Sequence, residues 1–224
     1  SDGTATDTET LTISVSGIND RPVVAVVDVA GAVTEDAAAT LSDSGSVTFS
    51  DADATDVLTS SVELVSATAS GGVIVYSGLQ AGLAEAMSLT QTGTNDGSIG
   101  WSFSLPNADA QYLAHGVTVT AIYRITLRDD SGTASAAQTQ DVTVVLTGSN
   151  DGPFVNNALV DQAAPEDSLF TYNYQGQLRP SFDDADLVTG DVLTFSATQR
   201  NGDPLPAWLS INSVTGVMSG TPDI

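Results

Sequence analysis

The 224-residue chain has no cysteine and a formal net charge of −23, set by 28 carboxylates against five arginines. Those counts exclude a disulfide scaffold and a cysteine-ligated zinc or redox centre. They also exclude a phosphate-tracking nucleic-acid surface, which depends on many basic groups, and no run of about 18 apolar residues exists to cross a membrane as a helix. Of the carboxylates, 23 are Asp and five are Glu. Asp suits turns and loops and chelates cations, whereas surface acid on helices would be Glu as often. With 41% hydrophobic residues the chain is not a disordered polyanion. The composition predicts an all-β, extracellular, calcium-loaded protein.

No leader pattern opens the chain at SDGTATDTET, which reads as an internal piece of something longer. In LTISVS, Leu11, Ile13 and Val15 alternate with polar residues, the period-two signal of a half-buried strand. AGLAEAM at 81–87 is the only candidate helix, of one or two turns. Ile99, Trp101, Phe103 and Leu105 alternate next, and the longest strand signal follows, with Val117, Val119, Ala121, Tyr123, Ile125 and Leu127 on one face. Trp101 and Trp208 are expected in the core, and His115, the lone histidine, in a solvent-facing turn. Short strands parted by Gly, Asp, Asn and Ser turns indicate sandwich domains.

Internal repetition sets the domain organisation. SGINDRP at 16–22 recurs as TGSNDGP at 147–153, a spacing of 131 residues, and each copy follows a strand that is itself preceded by an Asp-Gly or Ser-Gly turn. After each Asn-Asp-x-Pro comes a second ordered block. It contains Glu35-Asp36, Phe49, Asp51-Ala-Asp53, Asp56 and Leu58 in the first copy, and Glu166-Asp167, Phe182, Asp184-Ala-Asp186, Asp191 and Leu193 in the second. Residues 1–19 are therefore expected to be the last strand of a preceding repeat, 20–150 a complete β-sandwich, and 151–224 a further sandwich cut short. Both ends are ragged relative to the repeat, and an unpaired strand edge invites association; strand 11–16 of one molecule could complete the open domain of another, head to tail.

Residues 97–153 resemble the VCBS repeat of large bacterial adhesins. The likeness lies in the Trp101/Phe103 strand, Tyr112-Leu113 before Gly116, the long strand, the hairpin at Asp129-Asp130 and the closing TGSNDGP. Residues 151–224 resemble cadherin-like, dystroglycan-type domains through Glu166-Asp167, FDDAD, DVLTFSA and LPAWLSINSVTGVMSGTP. The resemblance implies tandem immunoglobulin-like/cadherin-like β-sandwich domains with calcium-bound joints, in a secreted RTX-type adhesin at the bacterial cell surface. It implies an extender module that projects a ligand-binding tip for cell adhesion or biofilm formation. The partners expected are neighbouring repeats of the same chain. No GGxGxDxUx run, which would mark the secretion-proximal end, is present.

Calcium takes six to eight oxygen ligands at about 2.3–2.6 Å, which Asp carboxylates and loop carbonyls supply. The spacing of Asp51 and Asp53, and of Asp184 and Asp186, allows both carboxylates of each pair to face one ion. The expected joint site is Asn150, Asp151, Glu166, Asp184 and Asp186, completed from the preceding domain by Asp129 and Asp130. The matching site is Asn19, Asp20, Glu35, Asp51 and Asp53. Isolated acids such as Asp28, Asp43, Asp109 and Asp203 are expected to cap turns instead.

Two other function classes compete with this one. Catalysis lacks a motif: no GxSxG, HExxH or helix-opening GxGxxG occurs, so the chain is not expected to be an enzyme. A module binding surface glycan or peptide is the alternative, built on the long Gly-, Ser- and Thr-rich segment 66–98 with Tyr76, Asn95 and Asp96 as candidate contacts.

Overall fold

The computed structural model describes residues 3, 8–134, 136–176 and 180–223. Eight strands and a short helix lie between Val23 and Thr147. They are β1 (Val23–Asp28), β2 (Ala30–Thr34), β3 (Thr40–Ser50), β4 (Thr59–Ala69), α1 (Ser77–Glu85), β5 (Met87–Thr92), β6 (Gly97–Pro106), β7 (Thr118–Arg128) and β8 (Ala137–Thr147). One sheet has the order β1-β3-β6-β5 and the other β2-β8-β7-β4. The first strand is divided between them: β1 pairs antiparallel with β3, and after Val29 the chain crosses over so that β2 pairs parallel with β8. This is an immunoglobulin-like sandwich, and the fold is all-β.

Period-two patterning decides which faces meet. Along β7, Val119, Ala121, Tyr123, Ile125 and Leu127 are buried while the intervening residues are half-exposed. Along β6, Ile99, Trp101, Phe103 and Leu105 point the same way and close the core from the opposite sheet. The helix caps one end of the sandwich: Leu79 and Leu83 are buried, and the Tyr123 hydroxyl donates to the Leu83 carbonyl at 2.8 Å. It begins four residues before the expected AGLAEAM segment.

Trp101 controls the strands facing it. Its indole N–H donates to the Asp28 carbonyl at 2.7 Å, and its ring lies over Gly45, its register partner on β3. A Cβ at Gly45 would stand 2.6 Å from the ring and one at Gly31 would stand 3.2 Å from it. Glycine is thus needed at 45 for close approach, not for an unusual φ.

Residues 152–224 form smaller sheets. β9 (Phe154–Val155) pairs with β11 (Phe182–Asp183), while β13 (Val217–Gly220) sits between β10 (Phe170–Asn173) and β12 (Leu209–Ile211). A 3-10 turn at Ala185–Thr189 follows β11. Trp208, expected in a core, is only half-buried, because among the described residues this region buries no large apolar side chain completely. LTISVS also departs from expectation: residues 11–16 form no strand, with Leu11, Ile13 and Val15 at least three-quarters exposed. Apart from Gly3, the Asp-Gly turn expected ahead of that segment lies outside the described residues.

Gly45→Ala is expected to lower the unfolding free energy of the sandwich by about 1–3 kcal/mol through overpacking against the indole. Urea denaturation followed by Trp101 fluorescence checks this; an unchanged midpoint would show that the ring moves aside freely.

Candidate metal centres at the ends of the sandwich

The two Asn-Asp-x-Pro linkers share the same local hydrogen bonds. The Asn19 side-chain amide donates to the Asp20 carbonyl, and that of Asn150 to the Asp151 carbonyl. The backbone N–H of Asp20 donates to Asp53 Oδ2 at 2.7 Å, and that of Asp151 to Asp186 Oδ2 at 2.8 Å. Within each Asp-x-Asp, the N–H of the second residue donates to Oδ1 of the first, at 2.9 Å for Asp53 on Asp51 and 3.0 Å for Asp186 on Asp184. A two-residue Asx turn forms locally because a short carboxylate can reach the amide two positions on. Pro22 and Pro153 then limit the backbone freedom of the linker.

Each turn gathers further acid. Oxygens of Asp51, Asp53 and Asp56 lie within 4.8 Å of one another, as do those of Asp184, Asp186 and Asp191. Oδ2 of Asp51, Asp56, Asp151 and Asp184 and Oδ1 of Asp186 are buried without a hydrogen-bond partner. Asp184 and Asp186 are 5% and 0% exposed. An unpaired buried carboxylate oxygen carries the full cost of losing water, and such atoms converging on one point fit a cation. Two oxygens on one ion at about 2.3–2.6 Å can be no more than about 5 Å apart, so both triads are compatible with shared coordination. The donor set is oxygen only, the chemistry of calcium or magnesium and not of zinc. Asn150 and Asp151, with backbone carbonyls, would supply the remaining ligands beside Asp184, Asp186 and Asp191.

The distribution of the remaining acids differs from that expected. Glu35 joins the Asp151 set, not the Asn19 set. β1 and β2 run the length of the sandwich before it, so the loop after Thr34 lies at the far end, where Glu35 Oε2 accepts from the Ser149 N–H at 3.0 Å and Oε1 from the Gln111 amide at 3.2 Å. Asp129 and Asp130 occupy the Asn19 end, because β7 starts at the far end and finishes here. Asp129 accepts from the Asn19 amide at 3.2 Å, and Asp130 from the Val57 N–H at 3.1 Å. Glu166 is exposed and stands in neither cluster. Asp56, Asp191 and Asp36 also belong to the clusters, beyond the ligand sets expected from the sequence. Their signal was present in the repeat, in Asp-Val-Leu-Thr at 56–59 and 191–194 and in the Asp after each Glu. Asn95, nominated as a ligand contact, instead donates to the Asp53 carbonyl at 2.9 Å.

Titration behaviour follows from this crowding. Burial, with the charges of Asp151, Asp36 and Asp186, pushes the Glu35 carboxyl up from 4.5 to about 7, against the opposing Ser149 hydrogen bond. Burial and neighbouring carboxylates likewise raise Asp151 and Asp186. At the other end burial, then Asp53, Asp129, Asp130 and Asp51, raise Asp56. The Gln111 and Asn107 amides hold Asp36 below the usual range. Burial opposes the charge on Asp129, but hydrogen bonds from Ser131 and Asn19 outweigh it and keep it low. The ion pair found among the described residues, Arg124–Asp141 at 2.8 Å, is on the β7–β8 sheet face and compensates neither cluster.

A metal-free contact also ties the two domains. The Thr189 hydroxyl accepts from the Ala114 N–H at 2.9 Å and donates to the Tyr112 carbonyl at 2.8 Å. His115, beside it, is an exposed turn residue.

A family described as "Putative Ig domain" matches residues 152–224. Among solved structures, the chain is similar to the N-terminal domain of PorA, with 9% identity, TM-score 0.32, and 57% of this chain and 97% of that one covered. It is similar to AggA, the major subunit of aggregative adherence fimbriae type I from Escherichia coli, with 11% identity, TM-score 0.34, and coverage of 59% and 99%. It is also similar to EC1-3 of mouse clustered PcdhgC3, with 15% identity, TM-score 0.36, and coverage of 90% and 56%. No curated protein matches. No helix among the described residues is long and apolar enough to cross a membrane.

Without metal, folded Glu35 keeps its proton to about pH 7 while an unfolded glutamate releases it near 4.5. The folded state therefore binds the extra proton between those values, and stability falls as pH rises through that window. Melting curves in chelator should show a falling Tm from about pH 4.5 to 7, and Glu35→Gln should flatten part of the slope. A Tm that rises across the window would contradict the crowding described.

Proposed function

We propose that the chain is a calcium-rigidified extender module of a secreted bacterial adhesin. It would act as a non-catalytic spacer at the cell surface, holding a ligand-binding tip away from the cell for adhesion or biofilm formation. The observation that carries this reading is the convergence of Glu35 and Asp36 from one domain, Asp151 from the linker, and Asp184, Asp186 and Asp191 from the next, with buried carboxylate oxygens left unpartnered. Calcium there would bond to both domains and to the linker at once. Removing hinge freedom from a joint of this kind turns a flexible string into a rod, and coupling to a cation abundant outside cells makes stiffness depend on location. The VCBS-like and RTX-type assignment belongs to the same proposal, supported by the repeated Asn-Asp-x-Pro, Glu-Asp and Asp-x-Asp sets.

The ligand-binding alternative has less behind it. Tyr76 lies edge-on to Tyr112 with ring centroids 4.8 Å apart, and Tyr112 in turn bonds to the Tyr76 N–H, so this ring is part of the α1 cap.

Calcium at about 100 times its dissociation constant is expected to raise the Tm by roughly 5–10 °C, and EDTA to reverse the rise. Small-angle scattering should show a longer mean dimension with calcium than with EDTA. Asp184→Ala or Asp186→Ala should remove most of both responses, while Asp203→Ala in an exposed turn leaves them intact. No change in stability or dimensions on chelation would reject the reading.

A further inference from the structure

The two Asp-x-Asp loops differ in length, although each runs on into Asp-Val-Leu-Thr. Two residues separate Asp53 from Asp56, and four separate Asp186 from Asp191. In the shorter loop the Asp56 N–H closes directly on the Asp53 carbonyl at 2.9 Å. The longer one passes through the 3-10 turn Ala185–Thr189, and Gly190, at φ 117°, turns the chain back toward Asp191. Both carboxylate triads nevertheless gather within the same 4.8 Å. The additional residues are therefore not required to collect the acids. What they add is Thr189, which bonds to the preceding domain, whereas Thr55 in the shorter loop is exposed.

Thr189 meets a surface that is already fixed. Its hydroxyl accepts from the Ala114 N–H at 2.9 Å, and its one proton is shared between the Tyr112 carbonyl at 2.8 Å and the Asp186 carbonyl at 3.0 Å. The receiving turn is anchored from several sides. Ala110 and Leu113 are fully buried, and the Tyr112 hydroxyl accepts from the Tyr76 N–H at 3.0 Å. The Gly116 N–H donates to the Gly148 carbonyl, and the Gly148 N–H to the Val117 carbonyl. A Cβ at Gly148 would overlap the Leu113 carbonyl oxygen, so the turn packs without slack against the start of the linker.

The same segment orients the acids of the first domain. The Gln111 amide donates to Glu35 Oε1 at 3.2 Å and to Asp36 Oδ1 at 3.0 Å, and the Asn107 amide donates to Asp36 Oδ1 at 2.7 Å. Residues 107–114 thus hold Glu35 and Asp36 on one side and Thr189 on the other. Thr189 lies three residues after Asp186, which is 0% exposed, with Oδ1 unpartnered and Oδ2 on the Asp151 N–H. Being β-branched, Thr189 has few rotamers to lose on docking.

We propose that Thr189 is a positioning residue for the joint cation. Docked on Tyr112 and Ala114, it brings Asp184, Asp186 and Asp191 to Glu35, Asp36 and Asp151 before the ion binds. The inference rests on the calcium reading above. Two neutral hydrogen bonds add only modest net stability against the repulsion of the gathered carboxylates, so the latch populates the docked arrangement without fixing it. The cation selects that arrangement, and its apparent affinity scales with the fraction already docked. Thr189 itself touches no ion; it acts through Asp186.

Calorimetric calcium titration of the 224-residue protein, joined to amide hydrogen exchange in EDTA, tests this. Asp186→Ala identifies the binding phase that belongs to the joint. Thr189→Val, which keeps the shape and removes the hydroxyl, should weaken that phase roughly tenfold and leave the phase lost on Asp53→Ala unchanged. Thr189→Ser should restore the joint phase. In EDTA the Ala114 amide should exchange more slowly in wild type and Thr189→Ser than in Thr189→Val, a readout that involves no metal. An Ala114 amide equally fast in all three proteins overturns docking ahead of the ion. Joint affinity that Thr189→Val leaves unchanged overturns the positioning role and leaves the calcium reading standing, whereas no calcium binding in wild type rejects both.

Discussion

A backbone amide held by a carboxylate is the constraint on which both ends of the sandwich depend. The N–H of Asp20 binds Asp53, and that of Asp151 binds Asp186, each at the second carboxylate of an Asp-x-Asp turn. The bond fixes the linker to the domain that follows and brings the linker's own acid against two others. Crowding is therefore a geometric result of the turn, and burial, together with the neighbouring charges, raises the carboxyls of Glu35, Asp151 and Asp186. Left without a counter-charge, this arrangement opposes docking of the domains; a divalent cation bound there, as proposed, would favour it.

Strand positions were largely legible, because period-two burial is written directly in β6 and β7 and only two packed faces satisfy it. The correspondence of the two linkers was legible as well, since identical short-range turn chemistry leaves identical residues. Which acids meet was not. Glu35 is close in sequence to Asp51 and Asp53 but separated from them by the length of the sandwich, as the eleven residues of β3 between them displace its end by about 36 Å. Sequence proximity records chain distance, and the antiparallel path of β2 to β3 reverses it. Asp129 and Asp130 were misplaced for the same reason, at the opposite end of β7.

LTISVS shows the complementary limit. Its alternation has the period of a strand and, at the 131-residue spacing, falls on Val142, Val144 and Leu146, yet residues 8–16 form no strand among the described residues. Trp208 is half-buried for a related reason: a core forms only when facing strands supply both walls. Pattern specifies which face seeks burial, and topology decides whether anything covers it.

The division of the first strand between two sheets has a mechanical side. β1 enters at one end of the sandwich, β8 leaves at the other, and β2 runs parallel to β8 over Ala30–Thr34 against Thr143–Thr147. Tension applied through the two linkers pulls β2 and β8 in opposite directions along their lengths. The ladder between them, extended by the Glu35 N–H on the Thr147 carbonyl, is then loaded in shear, and its bonds resist together instead of peeling one by one. Glu35 is also the residue whose carboxylate faces Asp151 and Asp186, so the strand that bears load through the sandwich ends at the joint that would transmit it.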